Sequence, residues 1–241
     1  MNNRRILIAG HEIGGQMQLL AEKMRNRWYN ASSCAYNDDF RGYQNDIKLN
    51  GKGFKPALSR FFFFMWATIH YDVFHFFWGK SMWSFWRFHL LDLPILRLLG
   101  KKVIVHFRGL DVIDIKHFDY LREKSRGEDV TPPPINRKNQ RRKIKKWRKY
   151  SDVMLVSEPD LYSVVPDAKL SPQIIDMQEW KSDNSEVDKN NKDIIKVVHA
   201  PSSRRKKGTD FIEEAIENLQ KKGYPVELVL AENLAHDQIK Q

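Results

Sequence analysis

The sequence predicts an α/β fold organised on a parallel sheet, and three observations carry that expectation. Short apolar runs, hydrophobic on both faces, recur at residues 5–9, 71–77, 102–107, 152–157 and 194–198, as inner strands of a parallel sheet require. Stretches with apolar residues at helical spacing lie between them. Glycine-bearing turns then join strand ends to the helix starts that follow.

Arg5-Ile6-Leu7-Ile8-Ala9 is the first strand, ended by Gly10. After His11-Glu12-Ile13-Gly14-Gly15, Leu19, Leu20 and Met24 repeat at helical spacing in a helix closing near Arg27. Gly14 and Gly15 would let a backbone approach a ligand closely, or equally serve a tight turn; their spacing falls short of a dinucleotide signature. Residues 32–36 and 44–49 read as short strands around a polar turn. A helix rich in aromatics spans Pro56 to Ile69. Its Phe61-Phe62-Phe63-Phe64 run reads as core, with a membrane or acceptor contact as the lesser alternative.

The next inner strand ends at Phe77, and Trp78-Gly79-Lys80-Ser81 turns at its carboxyl end, where ligands lie in open α/β sheets. Trp83, Phe85, Trp86 and Phe88 are packing residues or a surface for a sugar ring or lipid. Asp92-Leu93-Pro94 opens a helix through Leu99, and the strand 102–107 runs into Arg108-Gly109-Leu110-Asp111. A cation and a carboxylate split by glycine at a strand end suit catalytic or ligand-orienting work, or else form a structural pair.

Beyond Pro132-Pro133-Pro134, residues 135–150 form a helix dense in Lys and Arg, with Ile144 and Trp147 as a narrow buried stripe. Such a helix is a solvated face, or it draws in anionic lipid or a polyanionic acceptor through Arg141, Arg142, Lys145 and Lys146. Nucleic acid is disfavoured, because no helix-turn-helix, zinc or RNP motif accompanies the charge. A strand over 152–157 leads into a helix start at Glu158-Pro159. Residues 181–193, almost wholly Ser, Asp, Asn, Glu and Lys, read as a linker between domains at 1–180 and 194–241.

The second domain opens on a buried strand, Ile194 to Val198, that stops at His199-Ala200-Pro201. A turn carries Ser202, Ser203, Arg204, Arg205, Lys206, Lys207 and Gly208, and Thr209 reads as the N-cap of a helix to Lys222. Glu213 suits the positive end of that helix, and Val226–Leu230 forms a further strand. The cationic turn at a helix N-terminus is either an anion site fit for a diphosphate or a solvated basic loop.

With 41 Lys+Arg against 30 Asp+Glu, a net charge of +11, the chain favours anionic partners. Its one cysteine, Cys34, cannot form an internal disulfide, which fits a reducing, cytoplasmic compartment. The start MNNRRILIAG lacks the apolar run and cleavage site of a secretory signal. The most membrane-like segment, Phe61 to Trp78, is interrupted by His70, Asp72 and His75, so two shorter elements explain it better than one span. A soluble protein is expected, with peripheral contact to a membrane left open.

Six segments in this order carry a family resemblance: the N-terminal glycine turn, DVFHFFWG at 72–79, VIVHFRGLDV at 103–112, SEPDL at 157–161, PQIIDMQEW at 172–180 and VVHAPSSRRKKGTDFIEEAI at 197–216. Together they resemble glycosyltransferases of the GT-B fold, in the family 4 / group 1 class, across nearly the whole chain. The resemblance implies two facing Rossmann-like domains, the first for the acceptor and the second for a nucleotide sugar. It implies transfer with retention and without a metal or other cofactor. The acceptor would be a glycan or a lipid-linked glycan, as in polysaccharide biosynthesis. Arg204, Arg205 and Lys207 would meet the donor phosphates, opposite the amides at Gly14-Gly15. Lys207 matches the family's lysine before glycine, whereas the matching arginine stays open. Arg108 and Asp111 would line the acceptor side, with His75 in reach.

Two departures qualify this. Where relatives often read FHG, the chain has Phe107-Arg108-Gly109, and the HxH after DV becomes His75-Phe76-Phe77. The family also continues well beyond the point reached at Gln241, through an acidic motif that holds the donor's ribose and sugar. The expectation is therefore an acceptor-binding half plus the opening of a donor half, inactive or nearly so alone. The alternative is a non-catalytic protein whose basic helix docks on an anionic membrane or on a partner chain supplying the rest.

Overall fold

Strand β1 (Arg5–Gly10) lies in the middle of the sheet, with Leu7, Ile8 and Ala9 wholly buried. The computed structural model describes residues 4–36, 43–49, 54–83, 89–109, 111–112, 137–178, 194–201 and 204–232. Two compact units divide the chain, Met1–Ile174 and Ile175–Gln241. The linker expected at 181–193 lies outside the described residues.

In the first unit β1 is followed by α1 (Gln16–Arg25), β2 (Asn30–Ala35), β3 (Ile47–Lys48), α2 (Phe54–His70), β4 (Val73–Phe77), α3 (Asp92–Leu98) and β5 (Lys102–Phe107). Then come α4 (Arg137–Tyr150), β6 (Val153–Val156), a 3-10 turn at Pro159–Ser163 and β7 (Lys169–Leu170). The strands form one seven-stranded sheet in the order β3-β2-β1-β4-β5-β6-β7. Every neighbouring pair is parallel. This is a Rossmann-like arrangement. The chain moves outward from β1 to β3, crosses back to β4, and moves outward again to β7. The carboxyl ends of β1 and β4 therefore bound a switch point, where connections depart in opposite directions and leave room for a ligand.

The period-two alternation of the strands splits the core between two faces. On one face Leu7, Ala9, Phe74, Phe76, Val105 and Phe107 pack against α2 through Phe64 and Ala67, α3 through Leu93 and Leu96, and α4 through Ile144 and Trp147. On the other, Ile6, Ile8 and Phe77 pack against α1 through Met17 and Ala21.

Local readings differ from the structure in several places. Where strands are expected at 32–36 and 44–49, the structure has β2 at 30–35 and β3 at 47–48, paired in parallel with Cys34 beside Ile47. The helix start at Glu158-Pro159 is a single 3-10 turn.

The second unit holds β8 (Ile195–His199), α5 (Arg204–Lys207), α6 (Thr209–Lys221) and β9 (Val226–Leu230), with β8 and β9 paired in parallel. The expected buried strand is instead well exposed at Ile195 and Val198. The described elements, two strands, the four-residue α5 and α6, cannot cover both faces of a sheet. Thr209 does not cap its helix. Gly208 takes the N-cap position at φ 66°, and the buried Thr209 hydroxyl lies 3.0 Å from His199 Nε2. Among the described residues, no helix is long and apolar enough to cross a membrane.

Gly10 ends β1 at φ 150°, and a Cβ there would fall 2.7 Å from the Phe77 carbonyl oxygen. Gly10→Ala is expected to cost about 2 kcal/mol or more, seen as a lower urea midpoint with an unchanged slope. An unchanged midpoint would show that β1 and β4 do not meet so closely.

Candidate functional site at the switch point

Three turns meet where β1, β4 and β5 end. The turn after β4 is backbone-strained: Trp78 and Gly79 both adopt left-handed conformations, at φ 60° and 51°. Helix α4 holds it in place. The Trp147 indole donates to the Gly79 carbonyl at 3.2 Å, and Lys143 Nζ donates to the Trp78 carbonyl at 3.4 Å. A left-handed tryptophan persists only where its surroundings over-determine it, and such strain clusters at ligand sites.

The next residue, Lys80, points its Nζ to His11 Nε2 at 3.0 Å, joining the β4 turn to the β1 turn. Burial, then the charges of Lys80, Arg60 and Lys143, pushes His11 down to about 4. The imidazole is therefore neutral at pH 7, and its Nε2 lone pair accepts from the ammonium. Burial also lowers Lys80 and Lys143, while the charge of Asp111 pulls both back up.

Asp111 closes the β5 turn. Its Oδ1 accepts from the amides of Arg108 and Gly109, both at 3.0 Å. Its Oδ2 is buried and has no hydrogen-bond partner among the described residues. Burial raises the carboxyl to about 6, against the opposing pull of Lys143 and of those amides. The Arg108 guanidinium lies over the Phe77 ring, 5.3 Å from its centroid, within electrostatic reach of Asp111, Glu12 and Glu158. The result is a carboxylate with one oxygen fixed and one unused, flanked by cations. It can take a hydrogen bond from a ligand hydroxyl or the proton from it.

His75 lies in the middle of β4, on the face that packs against α1, stacked on His106 with ring centroids 5.7 Å apart. His75 Nε2 and His106 Nδ1 are both buried without a partner among the described residues. Burial first, then neighbouring positive groups, pushes His75 to about 3 and His106 to about 4.

Gly14 and Gly15 both take left-handed backbone, at φ 68° and 70°, and a Cβ on Gly14 would meet open space. Gly15 is the N-cap of α1 at φ 70°, and a Cβ there would meet the Tyr43 ring at 2.7 Å. The almost fully buried Glu12 turns its carboxylate onto that helix end, accepting from the amides of Met17 at 3.1 Å and Gln18 at 3.3 Å. The positive end of α1 is thus already met by a side chain of the chain itself.

In the second unit Arg204 is exposed and paired, 2.6 Å from Glu213, 3.1 Å from Glu232 and 3.5 Å from Asp210. Lys207 is exposed. The side chain of Arg205 lies outside the described residues. On α4, Arg141, Arg142, Lys145 and Lys146 are all exposed, and Lys146 donates to the His89 carbonyl. Among the described residues, no group of three or more His, Cys, Asp or Glu side chains is placed to hold a metal ion.

The first unit thus brings Arg108 and Asp111 together and adds His11, Lys80, Lys143 and His106. Sequence reasoning did not single these four out as site residues. Lys143 carried a readable signal, since it stands four residues before Trp147 and so shares the inward stripe of α4.

No family model and no curated protein matches the chain. Among solved structures, UDP-N-acetylglucosamine 2-epimerase from Rickettsia bellii is similar over 99% of this chain and 71% of its own, at 11% identity and a TM-score of 0.45. A likeness that distant assigns no activity, and the Rossmann-like fold rests on the strand order itself.

The buried histidines set the response to acid. Their folded-state values lie below 6.5, so the unfolded chain takes up protons that the folded chain refuses, and stability falls as pH drops from about 6.5 towards 4. Asp111, raised to about 6, acts in the opposite direction over about pH 4 to 6, as do the carboxyls of Glu12 and Asp92, which burial also raises, while His89, lowered to about 4, adds to the loss. His75→Leu is expected to lose on the order of 2 kcal/mol less than the parent between pH 7 and pH 4 in urea unfolding. Equal losses would show that His75 is not buried in its neutral form.

Proposed function

We propose that this chain works in glycosyl transfer, and that the switch point of its first unit holds the hydroxyl-bearing acceptor. The observation that carries the reading is Asp111, with one carboxylate oxygen tied to two amides and the other buried without a hydrogen-bond partner among the described residues. The ordered motifs resembling the GT-B family support it.

In this reading the acceptor hydroxyl donates to Asp111 Oδ2, which orients its oxygen for attack. Lys80 and Lys143 offset the cost of keeping the carboxylate ionised away from water. Arg108 supplies a fork of donors for a second hydroxyl or an anionic substituent. His75, buried in β4 and neutral, stacks on His106 within electrostatic reach of Arg108 and adds no charge. In the second unit, the segment Arg204–Lys207 with Gly208 is the complement for the diphosphate of a nucleotide sugar. Charge building on a departing diphosphate is stabilised by such cations. Arg204 would have to exchange its carboxylate partners for phosphate oxygens. Lys207 has the position of the family's phosphate lysine.

The test uses the full chain with UDP-, GDP- and ADP-sugars and a panel of glycan and lipid-linked acceptors, following acceptor binding by ligand-observed NMR and transfer by release of nucleoside diphosphate. At least one acceptor class should bind, and Asp111→Asn should weaken it about tenfold or more, the loss expected for a hydrogen bond to a charged group. Acceptor binding undiminished in Asp111→Asn, or no engagement of any acceptor or nucleotide sugar, contradicts the proposal.

A further inference from the structure

Helix α2 covers the sheet with one side and presents an uncharged apolar side outward. Inward lie Phe64, Ala67 and Thr68, all buried. Outward lie Leu58, Phe61, Phe62, Met65, Trp66 and Ile69, with Phe62 62% and Ile69 72% exposed. Between Leu58 and Ile69 the only charged residue is Arg60, and it turns inward to the carbonyls of Tyr36 and Leu49. The outer side chains are pre-positioned by ring contacts: Phe61 stacks on Trp83 at 5.4 Å and Trp66 on His70 at 4.1 Å. At the end of α3, Leu98 is 87% exposed and Leu99 half exposed. An isolated exposed leucine is ordinary on a soluble surface, but a whole helix side without one charge is not.

Helix α4 belongs to the same layer, since α2, α3 and α4 all pack on one face of the sheet. It carries nine Lys and Arg and no acidic residue. Lys143 turns inward and Arg148 is paired with Asp167, while Arg141, Arg142, Lys145 and Lys146 face outward. One side of the first unit therefore joins an apolar strip to a cationic strip, both directed away from the sheet. A bilayer surface with anionic headgroups offers the complement of both. Acyl chains receive the α2 side chains at shallow depth, and headgroup phosphates receive the α4 cations.

We propose that the α2–α4 side of the first unit docks on the surface of an anionic lipid bilayer, without spanning it. The docking is independent of the acceptor reading above.

The experiment is sedimentation of the full chain with vesicles of phosphatidylcholine alone and of phosphatidylcholine with an equal share of phosphatidylglycerol. Three proteins are compared: the parent, Phe62→Ser/Trp66→Ser/Ile69→Ser, and Arg141→Glu/Arg142→Glu/Lys145→Glu. All six positions are exposed, so urea midpoints should stay near the parent's. The parent should bind the anionic vesicles and bind phosphatidylcholine at least tenfold more weakly. The charge variant should lose that difference. The apolar variant should bind anionic vesicles about tenfold more weakly even at low salt, and lipids brominated near the headgroup should quench the parent's tryptophan fluorescence more than the variant's. Failure of the parent to bind anionic vesicles overturns the proposal and leaves this face to a protein partner. Binding unaffected by the apolar variant overturns it too, because charge alone would then explain the attraction.

Discussion

A carboxylate kept from water beside cations is the constraint on which the first unit turns. Asp111 gives one oxygen to the amides of Arg108 and Gly109 and holds the other buried. Burial alone would leave it protonated well above the ordinary aspartate range. Lys143 opposes that, and Asp111 in turn keeps Lys143 and Lys80 charged against their own burial. Removing one member of such a set strands the others, which is costlier than never having built it. The expense makes sense where a ligand completes the group.

The scaffold for this set is the reversal of strand order between β1 and β4 together with one helix. Parallel strands end on the same edge of the sheet, so the turns after β1, β4 and β5 come together without long loops. Helix α4 then fixes the middle turn from below, with Trp147 on Gly79 and Lys143 on Trp78. Its inner stripe belongs to the site and its outer stripe is bare positive charge. The same fourteen residues serve both, because helical periodicity sends positions 143, 144 and 147 inward and 141, 142 and 145 outward.

The sheet was legible because buried parallel strands announce themselves as unbroken apolar runs: β5 was read as Lys102–Phe107 and β9 as Val226–Leu230, the bounds the structure has. The pairing of β2 with β3 was not, since two residues of ladder leave almost no periodic signal. Arg108 and Asp111 were readable from their place at a strand end. Glu12 was not read as the group that meets α1, because a carboxylate in a glycine-bearing turn looks the same whether it faces solvent or folds back onto the helix amides. Lys143 stood among basic neighbours, and only its spacing of four from Trp147 marked it as inward. Arg204 reads as a phosphate ligand in sequence, and only the fold shows Glu213 and Glu232 on its guanidinium. Apolar patterning reports burial along one element, whereas these pairings depend on residues distant in the chain.

The most direct measurement is the ionisation of the Asp111 carboxyl in the full chain, followed by carbon-detected NMR and assigned by comparison with Asp111→Asn. A midpoint near pH 6 is expected, about two units above an ordinary aspartate. A midpoint near 4 would show a solvated carboxylate, and the turns at the ends of β1, β4 and β5 would then not form the closed group described.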